Sequence, residues 1–129
     1  MPERVLFDTD IFIWAQRGNI KAAHSFEKAN RRCLSVQTYM ELLQCARNKQ
    51  QHLLVKDFLM EFAFEILPLT ENIGHRAAIY VEEYSLSSGL RAGDAIIAAT
   101  ATENNLELLS SNLKHFRPIQ DLKLKAFRP

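Results

Sequence analysis

The amino-acid sequence predicts an α/β fold: one domain over residues 1–129, with a mostly parallel central sheet of four to five strands. Three observations lead there. Short apolar runs with β-branched or aromatic character alternate with amphipathic stretches along the whole chain. Residues 91–112, RAGDAIIAATATENNLELLSSN, join a helix that is apolar on almost every side to an apolar strand, and such a helix belongs in an interior. No internal repeat, linker or low-complexity segment divides the chain. The resulting order, β α α β α α β α α β β, calls for helices on both faces of the sheet.

Each element has a local reason. RVLF at 4–7 is the first strand, ended by Asp8-Thr9-Asp10. Residues 11–16 start a short helix that Arg17-Gly18-Asn19 breaks. Asn19 then caps a helix over 20–29. Residues 33–36 form a second strand. Over 37–48, Tyr39, Leu42, Leu43 and Ala46 follow the i, i+3, i+4, i+7 spacing of an amphipathic helix. A further helix over 51–62 places Leu54, Phe58 and Phe62 four apart. Residues 64–67 make a third strand, closed by Pro68. Thr70 caps a long helix striped by Ile73, Ala77, Tyr80, Val81 and Tyr84, which Ser87-Ser88-Gly89 ends. The apolar helix after Gly93-Asp94 stops at Asn104-Asn105, and 106–109 is a buried strand. A short turn at 113–116 and a last strand over 122–127 complete the chain.

Bulk properties narrow the function classes. With 47% apolar and 24% charged residues, the chain is ordinary globular material rather than a disordered one. A net charge of +1 argues against a protein that coats nucleic acid by bulk charge, while leaving room for a local basic lip. Cys33 and Cys45 both sit in apolar runs and read as buried free thiols suited to a reducing compartment. No apolar run approaches the ~20 residues of a membrane span. The opening MPERVLFDTD lacks the charged-then-apolar order of a signal peptide. A soluble, cytoplasmic protein is expected.

The carboxylates carry the chemistry. Asp8 follows the first strand at once, Glu41 lies near the start of the helix after the second, and Asp94 begins the helix before the fourth. In a parallel sheet, strand C-termini and helix N-termini share one edge, where ligands gather. Asn112, just past the fourth strand, joins them, with Thr9 and Asp10 beside Asp8. Each residue also has a bland role: a strand end for Asp8, a capping-box partner of Thr38 for Glu41, a helix-dipole acid for Asp94, a turn residue for Asn112. Their convergence on one edge favours a site. Two carboxylates ~4 Å apart repel by about 4 kcal/mol at an effective dielectric near 20. A divalent cation removes that cost, and oxygen-only ligands select Mg²⁺ or Mn²⁺ over zinc. Water near such an ion can be activated, and a phosphodiester is the substrate whose oxygens suit it.

VLFDTDIFIW, the SVQTYMEL around Glu41, RAGDAIIAATA and LELLSSNLKHF resemble, in order and spacing, the successive motifs of PIN-domain ribonucleases, specifically the VapC toxins of VapBC toxin–antitoxin modules. The likeness spans essentially the full chain. It implies a PIN-like three-layer α/β/α sandwich and Mg²⁺- or Mn²⁺-dependent endoribonuclease activity. It assigns metal binding to Asp8 and Asp94, with Glu41 completing an acidic triad. Asn112 stands where many members carry Asp, which implies one firm metal site and a weak or substrate-dependent second. Thr9, Asp10, Ser110 and Ser111 are expected to position waters and the phosphate, and Arg91 to reach a phosphate.

Other cations are weaker candidates for an RNA lip: Lys114, His115 and Arg117 after Asn112, and Arg17, Arg31 and Arg32. Trp14 offers a stacking face, but Ile11, Phe12 and Ile13 around it point to a core or interface role. No histidine pairs with a Cys or Ser as a nucleophilic triad would require. The helices over 20–29 and 51–62 carry surplus apolar residues, among them Leu53, Leu54, Val55, Leu59 and Met60, fit for a partner helix or a dimer seam. The resemblance implies a VapB-type antitoxin and a second copy of the chain, in a heterotetramer or larger assembly, with DNA met only through the antitoxin. A haloacid-dehalogenase-type phosphatase fits Asp8-Thr9-Asp10 and Gly93-Asp94. It fails at Ile11 and Phe12, where Gly and Thr are wanted, and at Ala98 and Ala99, where a second acid is wanted. A phosphotransfer receiver lacks its acid after the third strand. A non-catalytic binding module is the remaining rival.

Overall fold

The computed structural model describes residues 4–129, so residues 1–3 of the N-terminal reading lie outside the described residues. Five parallel strands form one sheet: β1 Arg4–Phe7, β2 Arg31–Ser35, β3 Glu65–Leu67, β4 Glu107–Ser110 and β5 Leu124–Ala126, in the order β3-β2-β1-β4-β5. The helices are α1 Thr9–Gln16, α2 Ile20–Lys28, α3 Val36–Cys45, α4 Lys49–Glu61, α5 Glu71–Ser88, α6 Ala92–Glu103 and the four-residue α7 Leu113–Phe116. The expected α/β order therefore holds, with a short helix where a turn was expected at 113–116.

Strand alternation builds two cores, one on each face of the sheet. Leu6, Cys33 and Leu108 pack with α5 and α6, joined by Ile97, Ala98, Ala101 and Phe116. Val5, Phe7, Leu34 and Leu109 face the other way, onto Phe12, Ala22, Phe26, Leu42 and Leu59 of α1–α4. This second core is aromatic: the rings of Phe7 and Phe26 lie 4.9 Å apart and those of Phe12 and Phe26 5.0 Å apart. Trp14, half-buried, packs against its margin, a place that fits the core or interface role expected for it. The result is a three-layer sandwich, with α6 so enclosed that Ala95 and Ile97–Ala101 are all buried.

Capping residues set the boundaries. Asn19, Ser35, Asn48 and Thr70 each accept a hydrogen bond from a backbone N–H in the first turn of the helix that follows. Gly89 ends α5 in the left-handed region, φ 73°. Helix α1 begins two residues earlier than the sequence predicts, because Asp8 itself caps it by accepting from the Thr9 N–H. Cys33 is buried but Cys45 is exposed, a correction to the expected burial of both. Cys45 is the last residue of α3, on the turn that leaves the core, and an apolar sequence neighbourhood does not report that.

Strand order decides where a site can form. From β1 the chain builds outward through β2 to β3, then α5 and α6 carry it back across to β4 on the other side of β1. The order thus reverses between β1 and β4, and the carboxyl ends of these two strands flank the crevice where ligands bind in open α/β sheets.

Candidate active site

Asp8 and Ser110 face each other across that crevice. The Asp8 backbone N–H donates to Leu109 O at 3.0 Å, tying the end of β1 to the end of β4. Ser110 Oγ donates to Asp8 Oδ2 at 2.7 Å, and the Thr9 N–H donates to Oδ1 at 2.8 Å. Asp8 is nonetheless buried, 5% exposed, and among the described residues it forms no ion pair. Burial first, then the neighbouring Asp10 charge, push its carboxyl up to about 8; the Asp94 charge adds to this, while Ser110 and the Thr9 amide pull against it.

Glu41 arrives from the second turn of α3. Its carboxylate accepts from Thr9 Oγ1 and, at 3.2 Å, from Gln37 Nε2 one turn back. Thr9 Oγ1 also lies 3.0 Å from Thr38 Oγ1, so α1 and α3 are stitched together beside the acids. Ser35, not Thr38, caps α3, and Glu41 is therefore free of the capping-box role considered for it. Gly93 allows Glu41 to approach α6: a Cβ there would meet Gln37 Nε2 at 3.1 Å and Glu41 Oε2 at 3.2 Å.

Asp94 lies in the first turn of α6, where the helix N-terminus favours an acid. Its pKa is nevertheless raised, chiefly by burial and also by the Glu41 charge, while His115 and the Arg91 backbone amide draw it down. His115 Nδ1 is 3.3 Å from Asp94 Oδ2 and 3.1 Å from Asn112 Nδ2. Asp10 accepts from both the backbone N–H and the hydroxyl of Ser111, yet its second oxygen, Oδ1, is buried without a partner.

Every acid named from the sequence, with Thr9, Ser110, Ser111 and Asn112, thus stands at the carboxyl edge of the sheet. Arg91 is the exposed N-cap of α6, three residues before Asp94. Lys114 and Arg117 are exposed on and after α7, at the same edge. Arg31 and Arg32 are not. They begin β2, at the opposite edge, where Arg31 pairs with Glu65 and Arg32 binds the carbonyls of Phe26 and Phe62. Sequence reasoning missed two contacts. Gln37 precedes Glu41 by one helical turn, a spacing that was there to be read; His115 reaches Asp94 only through the fold.

The donor set suits a hard divalent cation. It is built from carboxylate, hydroxyl and amide oxygens, one buried carboxyl carries no counter-charge, and Asp10 Oδ1 is an orphaned acceptor beside it. Among the described residues, no three His, Cys, Asp or Glu side chains already converge as a ready ligand set. Glu41, Asp94 and Asp10 instead hold the hydroxyl, amide and imidazole partners described above.

Comparison with known proteins agrees with this layout. The family model described as PIN domain matches residues 5–120. Ribonuclease VapC10 of Mycobacterium tuberculosis is 30% identical over 123 residues, covering 92% of this chain and 90% of its own. A toxin–antitoxin complex from Klebsiella pneumoniae contains a chain 31% identical, with a TM-score of 0.78 over 92% of this chain and 94% of that one. The VapBC2 structure from Rickettsia felis, bound to a promoter DNA fragment, shares the fold at a TM-score of 0.81 and 20% identity, covering 97% and 99% of the two chains. From the family match across most of its length and its full-span likeness to a VapC protein, the chain belongs to the PIN-domain family, in its VapC branch.

Proposed function

We propose that the chain is a Mg²⁺- or Mn²⁺-dependent endoribonuclease, acting as a single PIN domain in the cytoplasm as the toxin of a toxin–antitoxin pair. The observation that carries this reading is Asp8: a buried carboxyl at the switch point, without an ion-pair partner among the described residues and pushed up to about 8. Asp8, Asp94 and Glu41 would hold the ion. When bound, such an ion supplies positive charge that offsets the carboxylates, acidifies water and stabilises charge on a phosphate in transit.

The chain's own residues do the positioning. Ser110 and the Thr9 amide fix the Asp8 carboxylate from two sides, and the Thr9 hydroxyl and Gln37 fix Glu41. Ser111 orients Asp10 so that its free oxygen can accept from a water. Asn112 and His115 hold the rim beside Asp94, and Arg91 offers a cation to a phosphate there.

The partner is read from the helical face. A cleft of about 500 Å³ opens between α1, α2, α3 and α4, lined by Phe12, Phe26, Leu42, Leu54, Val55 and Phe58. It suits the apolar side of an amphipathic helix, and a VapB-type antitoxin is the occupant the family suggests. A homodimer would use further exposed apolar residues such as Ile79 and Leu86.

The test is RNA cleavage by the purified chain with Mg²⁺ or Mn²⁺ against an EDTA control, for wild type, Asp8→Asn and Asp94→Asn. Cleavage that needs the ion and disappears in both variants is expected. Cleavage in EDTA, or full activity in either variant, overturns the reading.

A further inference from the structure

On the face of the sheet that carries α2, a cleft of about 390 Å³ lies between that helix and β5. Lys21, His24, Ser25 and Lys28 line one wall at i, i+3, i+4 and i+7, so they share one side of α2. Lys125 and Arg128 line the other wall, and the floor is apolar, with Val5, Ala29, Leu109 and Phe127 all buried. Among the described residues no acid lines the cleft; Glu107, on the same face of β4 as Leu109, stands beside its foot. Glu27, the acid of α2, flanks His24 at i+3 but lies about 100° or more around the helix from Lys21 and Lys28 at 3.6 residues per turn. Among the described residues, none of the four Lys and Arg side chains forms an ion pair with a carboxylate. In a chain of net charge +1, four free cations in one cleft are a local concentration rather than a share of a basic surface.

Position gives the cleft its meaning. β5 is parallel to β4 with Ala126 opposite Ser110, and the Phe127 N–H donates to Ser110 O at 2.8 Å. Arg128 therefore leaves the sheet at the edge where Ser110 holds Asp8. Lys21 lies in the first turn of α2 and Lys28 ends the helix, about 10 Å further along at 1.5 Å per residue. The foot of the cleft is marked by Val5, which is in register with Glu107. The cations thus form a track from the carboxyl edge down the side of the molecule.

We propose that this track is a second binding site for the RNA strand, holding phosphates of nucleotides that flank the scissile one while their bases lie on the apolar floor. The proposal rests on the ribonuclease reading. A single strand fits better than a duplex because cations on both walls over an apolar floor match a nucleic acid whose bases are unpaired and exposed.

The experiment compares wild type with the combined variant K21Q/K125Q/R128Q, whose three positions are exposed and leave both cores untouched. Binding of a fluorescent, unstructured RNA is followed by anisotropy in EDTA across a salt series, and cleavage kinetics are measured with Mn²⁺. At roughly 0.7 per neutralised phosphate on a single strand, the slope of log Kd against log salt should fall by about 2, with Kd up about tenfold or more at low salt. KM should rise in step while kcat at saturating RNA stays unchanged. Wild type that cuts RNA beside a variant of unchanged Kd and slope overturns the track alone. Wild type that cuts no RNA overturns the nuclease reading, and the anisotropy still decides the track. Equal loss of binding to duplex DNA, or loss of a protein partner with RNA binding intact, overturns the assignment to single-stranded RNA.

Discussion

His115 Nδ1 lies 3.3 Å from Oδ2 of Asp94, twenty-one residues away in sequence. One ring nitrogen carries at most one hydrogen. Nδ1 can donate to Asp94 or accept from the Asn112 amide, and the two arrangements belong to different tautomers. When it donates, the imidazole occupies the carboxylate oxygen that a cation would otherwise take.

Replacing His115 by Ala, which has no donor to offer Asp94, should therefore ease cation binding. A hydrogen bond to a charged group is worth roughly 1.5 kcal/mol or more, about a tenfold change in an equilibrium. The Mn²⁺ concentration for half-maximal RNA cleavage should fall by up to that factor in His115→Ala. A rise instead would mean that the imidazole helps to hold the ion.

The charge state of Asp8 gives a stability signature in chelator. Its carboxyl titrates at about 8 in the fold against 3.8 ordinarily, so between these values the folded chain keeps a proton that the unfolded chain has lost. Stability is then fullest below pH 4 and falls as pH rises through 8; the raised Asp94 acts in the same sense. Thermal unfolding in EDTA should show this decline, worth on the order of a few kcal/mol. Asp8→Asn should remove most of it, and Mg²⁺ or Mn²⁺ at pH 8 should restore wild type. Stability that climbs with pH across this window would contradict the assignment.

Much of this was legible in the chain itself, and the exceptions have physical causes. Asn19, Thr70 and Gly89 bound their helices as expected because capping is a local matter of one side chain or one φ angle. Asp8, Glu41 and Asp94 could be placed on one edge because strand ends and helix starts coincide there in a parallel sheet. Strand order could not be read, since periodicity says which face is apolar and nothing about which strands adjoin. Arg31 and Arg32 show the same limit: their charge was visible, but their place at the amino edge depends on where β2 begins. The final strand is shorter than expected because Leu122 packs into the core from a turn rather than from the sheet. The His115–Asp94 contact needed α7 to form after β4, which a four-residue helix does not advertise.

Gly93 separates stability from activity. An added Cβ would press on the amide of Gln37 and the carboxylate of Glu41, both ends of flexible side chains that can move. Alanine inside a helix is favoured over glycine by roughly 0.5–1 kcal/mol. Gly93→Ala should thus melt no lower than wild type yet cleave RNA several-fold more slowly, with Glu41 displaced. Equal activity at equal or higher stability would remove Glu41 from the proposed site.

The apolar cleft between α1 and α4 should govern partner binding without touching catalysis. Leu54 lines it while remaining 61% exposed, so the fold does not depend on its side chain. An amphipathic partner helix would bury Leu54, and a charge there would be desolvated without a mate. Truncating or charging an anchor of this kind costs about 2 kcal/mol or more in binding, at least tenfold in Kd. Leu54→Glu should accordingly lose the antitoxin in co-purification and titration while the free protein cuts RNA at the wild-type rate. Retained antitoxin affinity would move that partner to a different face, and a parallel loss of cleavage would mean that the cleft supports the fold rather than the complex.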